Sequence, residues 1–330
     1  MNSYIFTIDD RNDFLRKIAL NYLQNSRIKT GSNILLNIGE LVIDKFSDGE
    51  YSPNFQHSIR GSKVYLVGST DTPDNIVKMF LTIDAARRAS AKEVIAVIPS
   101  LGYSRQDRKD GKRGTVGAKT MANLLVASGA NRIITMDLHA EQIEGFYDIP
   151  VDHIVGQRLF ENWITERFEN NDFTDLVLCS PDAGGVKRVD KYWRRLGEKY
   201  NVTNAYISKF RSKPNSIDRM ELNGSVENKD VIIIDDMIDT AGTLCKAALL
   251  LKEKGAKRVF AIATHGVLSG KAIENLNNSV IEKIIISNTI NTVNDKANVC
   301  DKITVLDTAE QFAKFILAND IDASPSEFLK

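Results

Sequence analysis

The chain has 330 residues, 43% of them apolar and 26% charged, with 43 Lys plus Arg balancing 43 Asp plus Glu. That balance describes a packed globular chain of one large or two ordinary domains, and it excludes a disordered tail protein or one drawn to polyanions by its overall charge. Three widely spaced cysteines, Cys179, Cys245 and Cys300, form no CxxC pair, so reduced thiols are expected rather than a disulfide framework or a zinc site.

The opening MNSYIFTIDDRNDF carries Asp9, Asp10 and Asp13 and no signal-peptide core, and no run of about 18 apolar residues predicts a membrane span. Short β-branched runs then alternate with helical patterns. Strands are predicted at Val64–Gly68, Val94–Pro99, Arg132–Asp137, Leu176–Ser180, Ala205–Ser208, Val231–Asp235, Val259–Thr264 and Lys283–Ser287. Helices are predicted at Asp74–Ala89, Ala118–Ala127, Gly156–Phe168, Gly185–Leu196 and Thr243–Lys254. This order predicts an α/β fold with mostly parallel sheets, and continuous apolar strands such as VIAVI and VIIID imply helices on both faces. An internal similarity divides the chain. Ser128-Gly129-Ala130-Asn131-Arg132-Ile133 leads to His139, and Lys254-Gly255-Ala256-Lys257-Arg258-Val259 leads to His265 at the same separation. Two related domains follow, 1–155 and 156–330.

Motifs fall at the predicted carboxyl ends of strands. Phe46-Ser47-Asp48-Gly49-Glu50 reads as a hairpin turn. The stretch Gly102–Gly114, with Arg105, Gln106, Asp107, Arg108, Lys109, Asp110, Lys112 and Arg113, suits a polyphosphate and equally a solvated charged loop. Asp137 and His139, two apart at a strand end, are expected on one face, able to hold a metal or to be structural. In SPDAGGVKR, Asp182 could serve a cation or ribose hydroxyls, or cap the following helix.

The most informative segment is VIIIDDMIDTAGT, Val231 to Thr243. A buried strand delivers Asp235 and Asp236, and then Asp239, Thr240, Ala241, Gly242 and Thr243 open a helix. Unpaired N–H groups at a helix start attract a phosphate, glycine admits it closely, and the carboxylates suit sugar hydroxyls or hydrated Mg²⁺. One cap needs one such residue, so three Asp and two Thr exceed a capping role. This segment resembles the phosphoribosyl-diphosphate motif of the phosphoribosyltransferase superfold.

RQDRKD, TMDLHAEQIEGFYDIPVDH, SPDAGGVKRV and VIIIDDMIDTAGT, in that order, resemble the ribose-phosphate diphosphokinases (phosphoribosyl-diphosphate synthetases). The resemblance runs from about Phe46 to about Leu306. It implies two tandem phosphoribosyltransferase-like domains: an N-terminal one with the adenine turn, nucleotide loop and metal histidine, and a C-terminal one with the ribose 5-phosphate site and catalytic loop. It implies Mg²⁺-dependent transfer of the diphosphoryl group of ATP to the anomeric hydroxyl of ribose 5-phosphate, releasing AMP, in cytoplasmic nucleotide biosynthesis. Carried over, Phe46, Asp48, Gly49, Glu50, Arg105, Gln106, Asp107 and Asp110 would bind ATP, and His139 and Asp182 the metal. Arg211, Asp235, Asp236 and Asp239 to Thr243 would bind ribose 5-phosphate. Ser208–Asn215 resembles the flexible catalytic loop, with Lys209 and Arg211 as its paired cations. A homo-oligomer is implied, a hexamer, in which a neighbouring subunit completes the ATP site; neither nucleic acid nor membrane is an expected partner.

Departures lie outside these positions. Lys112-Arg113 replaces the Ser-Arg pair many members use for regulatory phosphate or ADP, and Glu141 stands where some have Ser. An added carboxylate repels an anion, so the resemblance leaves phosphate activation and ADP inhibition open. A non-catalytic regulatory homologue would lack Lys209, Arg211, His139 or acids of Asp235–Asp239, and all are present. A phosphoribosyltransferase would leave the RQD loop, the MDLH strand and one domain without a role.

Overall fold

A computed structural model describes residues 2–32, 34–109, 113–210 and 219–328. It divides into two compact units, Met1–Val155 with Asp307–Lys330, and Gly156–Leu306.

The first unit begins β1 (Ser3–Thr7), α1 (Asn12–Thr30), β2 (Leu36–Ile38), β3 (Leu41–Lys45), β4 (Tyr51–Phe55) and β5 (Lys63–Val67). It continues α2 (Pro73–Arg88), β6 (Glu93–Ile98), α3 (Gly117–Ser128), β7 (Arg132–Met136) and β8 (Val151–Ile154). Strand order is β2-β1-β5-β6-β7-β8, parallel throughout, with β3-β4 a separate antiparallel hairpin. Strand alternation sorts the core. Tyr65, Val67, Ile95 and Val97 pack with α1, while Val64, Leu66, Val94, Ala96 and Ile98 pack with α2 and α3. Thr72 caps α2 by accepting the Asn75 N–H at 3.2 Å, with Pro73 in the first turn.

The second unit runs α4 (Gln157–Glu169), β9 (Leu176–Ser180), α5 (Val186–Leu196), β10 (Val202–Phe210), β11 (Arg219–Asn223), β12 (Asp230–Ile238), α6 (Gly242–Glu253) and β13 (Arg258–Gly266). Then come α7 (Ala272–Asn277), β14 (Lys283–Ser287), α8 (Val293–Ala297) and β15 (Ile303–Leu306). Its order is β11-β10-β9-β12-β13-β14-β15, parallel except for the β10–β11 pair. Ile232, Ile234 and Ile262 face α4 and α5, and Val231, Ile233 and Ala261 face α6.

The internal similarity is visible in bonds. Ala130 N–H reaches Leu125 O at 3.2 Å, and Ala256 N–H reaches Leu251 O at 3.0 Å, each just past a left-handed glycine at Gly129 (φ 110°) or Gly255 (φ 88°). The two histidines diverge. His139 lies beyond β7 and is exposed, whereas His265 is buried in β13 with Nδ1 2.9 Å from Thr289 Oγ1.

The tail corrects the expected second domain. Helix α9 (Ala309–Asp320) belongs to the first unit, placing Phe312, Phe315 and Ile316 against Phe14, Ile18 and Tyr22 of α1. A polar bolt locks it: Asp320 accepts the Tyr22 and Tyr65 hydroxyls, each at 2.7 Å, and Lys63 Nζ donates to Asn319 O at 2.7 Å. Buried phenols need partners, and Asp320 satisfies two at once. Burial and the Asp320 charge push both phenol pKa values up.

Candidate active site

In the second unit, chain order reverses between β9 and β12, because β9 is followed on one side by β10 and flanked on the other by β12. The carboxyl edge at such a switch point is where open α/β sheets take ligands. Asp182 follows β9, and Asp235 to Thr243 follow from β12 to α6, so both sets stand at that edge.

β12 extends to Ile238, three residues past the expected end, so Asp235 and Asp236 lie within it. Asp236 is buried, and Arg188 of α5 bridges the pair, with Nη1 3.4 Å from Asp235 Oδ1 and Nη2 3.5 Å from Asp236 Oδ1. Burial, then the Asp236 carboxylate, raise the Asp235 pKa above its ordinary value; Arg188 opposes them and Asp182 adds to them. Negative charge is therefore in excess at this edge.

The turn that follows is braced from behind. Ser269 Oγ donates to Asp239 Oδ1, and Ser269 N–H reaches Asp239 O at 3.1 Å. Asn275 Nδ2 holds Thr240 O at 2.9 Å. Ala241 sits at φ 60°, left-handed and costly for a residue with a Cβ, and no side chain caps α6. Open space surrounds the position a Cβ would take on Gly242. Uncapped N–H groups, a clear approach at Gly242 and the Thr240 and Thr243 hydroxyls make a cradle for an anion.

Lys209 joins this edge from β10. Its Nζ lies 3.2 Å from Asp182 Oδ2, with the side chain 9% exposed. Asp182 Oδ1 accepts the Gly185 N–H at 3.2 Å, so Asp182 caps the turn and meets the lysine at once. Ser208, Lys209 and Phe210 are strand rather than loop, because β11 extends the pairing through Lys209↔Met220 and Phe210↔Arg219. Arg211 lies outside the described residues.

In the first unit, Phe46, Asp48, Gly49 and Glu50 form the exposed tip of the β3–β4 hairpin. The tip closes through Gly49 N–H to Phe46 O at 2.9 Å and Glu50 N–H to Asp48 Oδ1 at 3.1 Å, with Gly49 at φ 97°. Just below the tip, the Tyr51 hydroxyl donates to Asp74 at 2.7 Å and clamps the hairpin to α2.

The Gly102–Gly114 loop leaves β6 over Gly102, where a Cβ would collide with the Thr70 carbonyl; Gly102 N–H donates to Thr70 Oγ1 at 2.8 Å. Arg105 and Gln106 are exposed, Ala118 N–H at the start of α3 bonds Gln106 O at 3.2 Å, and Gln142 Nε2 holds Asp107 Oδ2 at 3.0 Å. Asp110 and Lys112 lie outside the described residues. Beneath the loop is a buried pair that the motif reading missed: Arg11 Nε on Asp9 Oδ2 at 3.0 Å, with Arg11 Nη2 on Ser69 Oγ at 3.2 Å. Burial pushes the Asp9 pKa up against the pull of Arg11. Its sequence signal was the acidic cluster after the first strand.

The shared face expected for Asp137 and His139 is corrected. β7 ends at Met136 and Asp137 turns to φ 39°, so strand alternation stops before either residue. Among the described residues no group of three or more His, Cys, Asp and Glu gathers as a metal site, and no helix is long and apolar enough to cross a membrane.

The pattern for the N-terminal domain of ribose phosphate pyrophosphokinase matches residues 4–129, and that for the phosphoribosyl synthetase-associated domain matches residues 198–322. The ribose-phosphate pyrophosphokinase of Porphyromonas gingivalis is 44% identical over 84% of this chain and 86% of its own length. The Halalkalibacterium halodurans protein of that name is 44% identical over 92% of this chain and 93% of its own. The crystal structure of phosphoribosylpyrophosphate synthetase from Mycobacterium smegmatis superposes with a TM-score of 0.86 at 34% identity, covering 98% of this chain and 100% of that one. With its mostly parallel α/β units and the identity it keeps across nearly its whole length, this chain is an enzyme of the ribose-phosphate pyrophosphokinase family.

Proposed function

We propose that the chain transfers the diphosphoryl group of MgATP to the anomeric hydroxyl of ribose 5-phosphate, giving 5-phosphoribosyl 1-diphosphate and AMP. The observation that carries this reading is the edge where Lys209, Asp182, Asp235 and the uncapped α6 turn converge. The Asp239–Thr243 turn receives the 5-phosphate on backbone N–H groups and hydroxyls. Asp235 and Asp239 accept from the ribose hydroxyls, Asp236 keeps Arg188 in place, and Lys209 with Arg211 balances charge on the transferring phosphoryl oxygens. Diphosphoryl transfer asks for positioning and charge stabilisation more than covalent chemistry, which suits a site rich in fixed charges and poor in nucleophiles.

Phe46, Asp48, Gly49 and Glu50 hold the adenine, and Arg105, Gln106, Asp107 and Asp110 the rest of the nucleotide. An exposed hairpin tip is suited to serve a second copy, in keeping with a homo-oligomer, a hexamer, whose ATP site is completed by a neighbour. Excess carboxylate at Asp182, Asp235 and Asp236 fits a divalent cation electrostatically, and His139 and Asp182 are its assigned holders. Mg²⁺, when bound, neutralises phosphate oxygens and lowers the pKa of the attacking hydroxyl. The reaction would supply nucleotide biosynthesis in the cytoplasm. AMP release by the purified protein tests the proposal: it should require ATP, Mg²⁺ and ribose 5-phosphate together, and release independent of ribose 5-phosphate would refute it.

A further inference from the structure

His139 leaves the sheet on a segment fixed at successive residues. Asp137 N–H still bonds Ile154 O at 3.0 Å, after which Asp137 takes φ 39°, a turn that costs a residue with a Cβ about 1–2 kcal/mol. The Leu138 side chain is buried, and its N–H donates to His153 Nε2 at 3.0 Å. His139, next along, is exposed.

A backbone N–H can only donate, so Nε2 of His153 is the acceptor nitrogen and the neutral ring carries its proton on Nδ1. That Nδ1 lies 2.6 Å from Glu144 Oε1. Glu144 thus selects the tautomer that holds the Leu138 amide. It stands on the 3₁₀ turn Glu141–Phe146, which is anchored by buried Ile143 and by Lys119 Nζ on Phe146 O at 2.6 Å. From the same turn Gln142 reaches Asp107 of the nucleotide loop at 3.0 Å. One short turn therefore holds both segments assigned to the nucleotide and its metal.

We propose that Glu144 and His153 are positioning residues that aim His139, acting through the Leu138 amide without touching substrate. The proposal rests on the reading above, in which His139 serves the metal–nucleotide. His153→Leu removes the acceptor and Glu144→Leu removes the group that sets the tautomer. His153→Gln places an amide oxygen near the Nε2 position, and Glu144→Gln keeps an acceptor for Nδ1–H.

The test joins amide hydrogen exchange on the ligand-free full chain to steady-state kinetics. Both Leu variants should accelerate exchange at Leu138 while β5 and β6 keep wild-type protection. Both should lower kcat about tenfold, the scale seen for lost outer-shell partners, with the KM for ribose 5-phosphate unchanged. The Gln variants should recover most of the protection and the rate. Unchanged exchange at Leu138 in the Leu variants, or equal losses in the Gln and Leu variants, overturns the proposal. The Glu144 side chain is 43% exposed against 11% for His153, so its variants decide the matter if His153→Leu does not fold. Exchange is read without substrate, so a wild-type protein that makes no AMP would refute the catalytic reading and leave this one to its own result.

Discussion

Lys209 Nζ and Asp182 Oδ2 lie 3.2 Å apart, tying the end of β10 to the turn after β9. With Asp182 47% exposed, this pair contributes at most about 1 kcal/mol to stability. Its worth is placement of a cation. Lys209→Ala should lower kcat about 10²–10³-fold, as for a lost transition-state donor. Thermal unfolding should stay close to wild type, and calorimetry beside initial rates separates the two effects.

Asp235 should trade stability for function. Its pKa is raised in the folded state, so the fold favours its protonated form. That contribution is complete below the ordinary value of 3.8 and is lost as pH rises through the raised value. Asp235→Asn should therefore raise the melting temperature of the ligand-free protein at neutral pH, by about 2–4 °C per kcal/mol of repulsion relieved, and flatten its dependence on pH above 4. It should also weaken ribose 5-phosphate binding. Melting curves across pH, paired with titration calorimetry, give both readings.

Gly242 offers a cleaner separation. A Cβ there meets nothing within 4 Å, so Gly242→Ala should leave stability unchanged or raise it by up to about 1 kcal/mol. The added methyl occupies the path to the first α6 N–H groups, and the KM for ribose 5-phosphate should rise about tenfold or more. A KM that does not move would mean that no phosphate docks at this turn.

The α9 bolt should be costly to break. Asp320→Ala leaves the Tyr22 and Tyr65 hydroxyls without their acceptor in a buried setting, at about 1–3 kcal/mol each. Urea unfolding should show that loss, and Tyr22→Phe should recover part of it in the Asp320→Ala background.

The parallel architecture and the Val231–Thr243 turn are legible in the sequence because they are local: continuous β-branched runs need two covered faces, and three Asp with two Thr exceed a cap. Helix α1 is not among the predicted helices, and its partner α9, which packs on Phe14, Leu15, Ile18 and Tyr22, lies some three hundred residues away, so no local pattern links the two. Chain order alone assigned the tail to the wrong unit. β10 was cut short because Ser208-Lys209-Phe210 has loop composition, and only β11 makes it strand. Ser269, Asn275, Glu144 and His153 act through backbone or neighbouring side chains, so their residue types carry no chemical signal until the fold sets them 2.6–3.1 Å from their partners.

Intact transfer of a diphosphoryl group to the sugar leaves a distinct set of products. Phosphorus NMR of the purified enzyme with ATP, Mg²⁺ and ribose 5-phosphate tests it most directly. AMP and a sugar-linked diphosphate should appear in equal amounts, with no ADP. Formation of ADP with a singly phosphorylated product, or of AMP with free pyrophosphate from the outset, would contradict it.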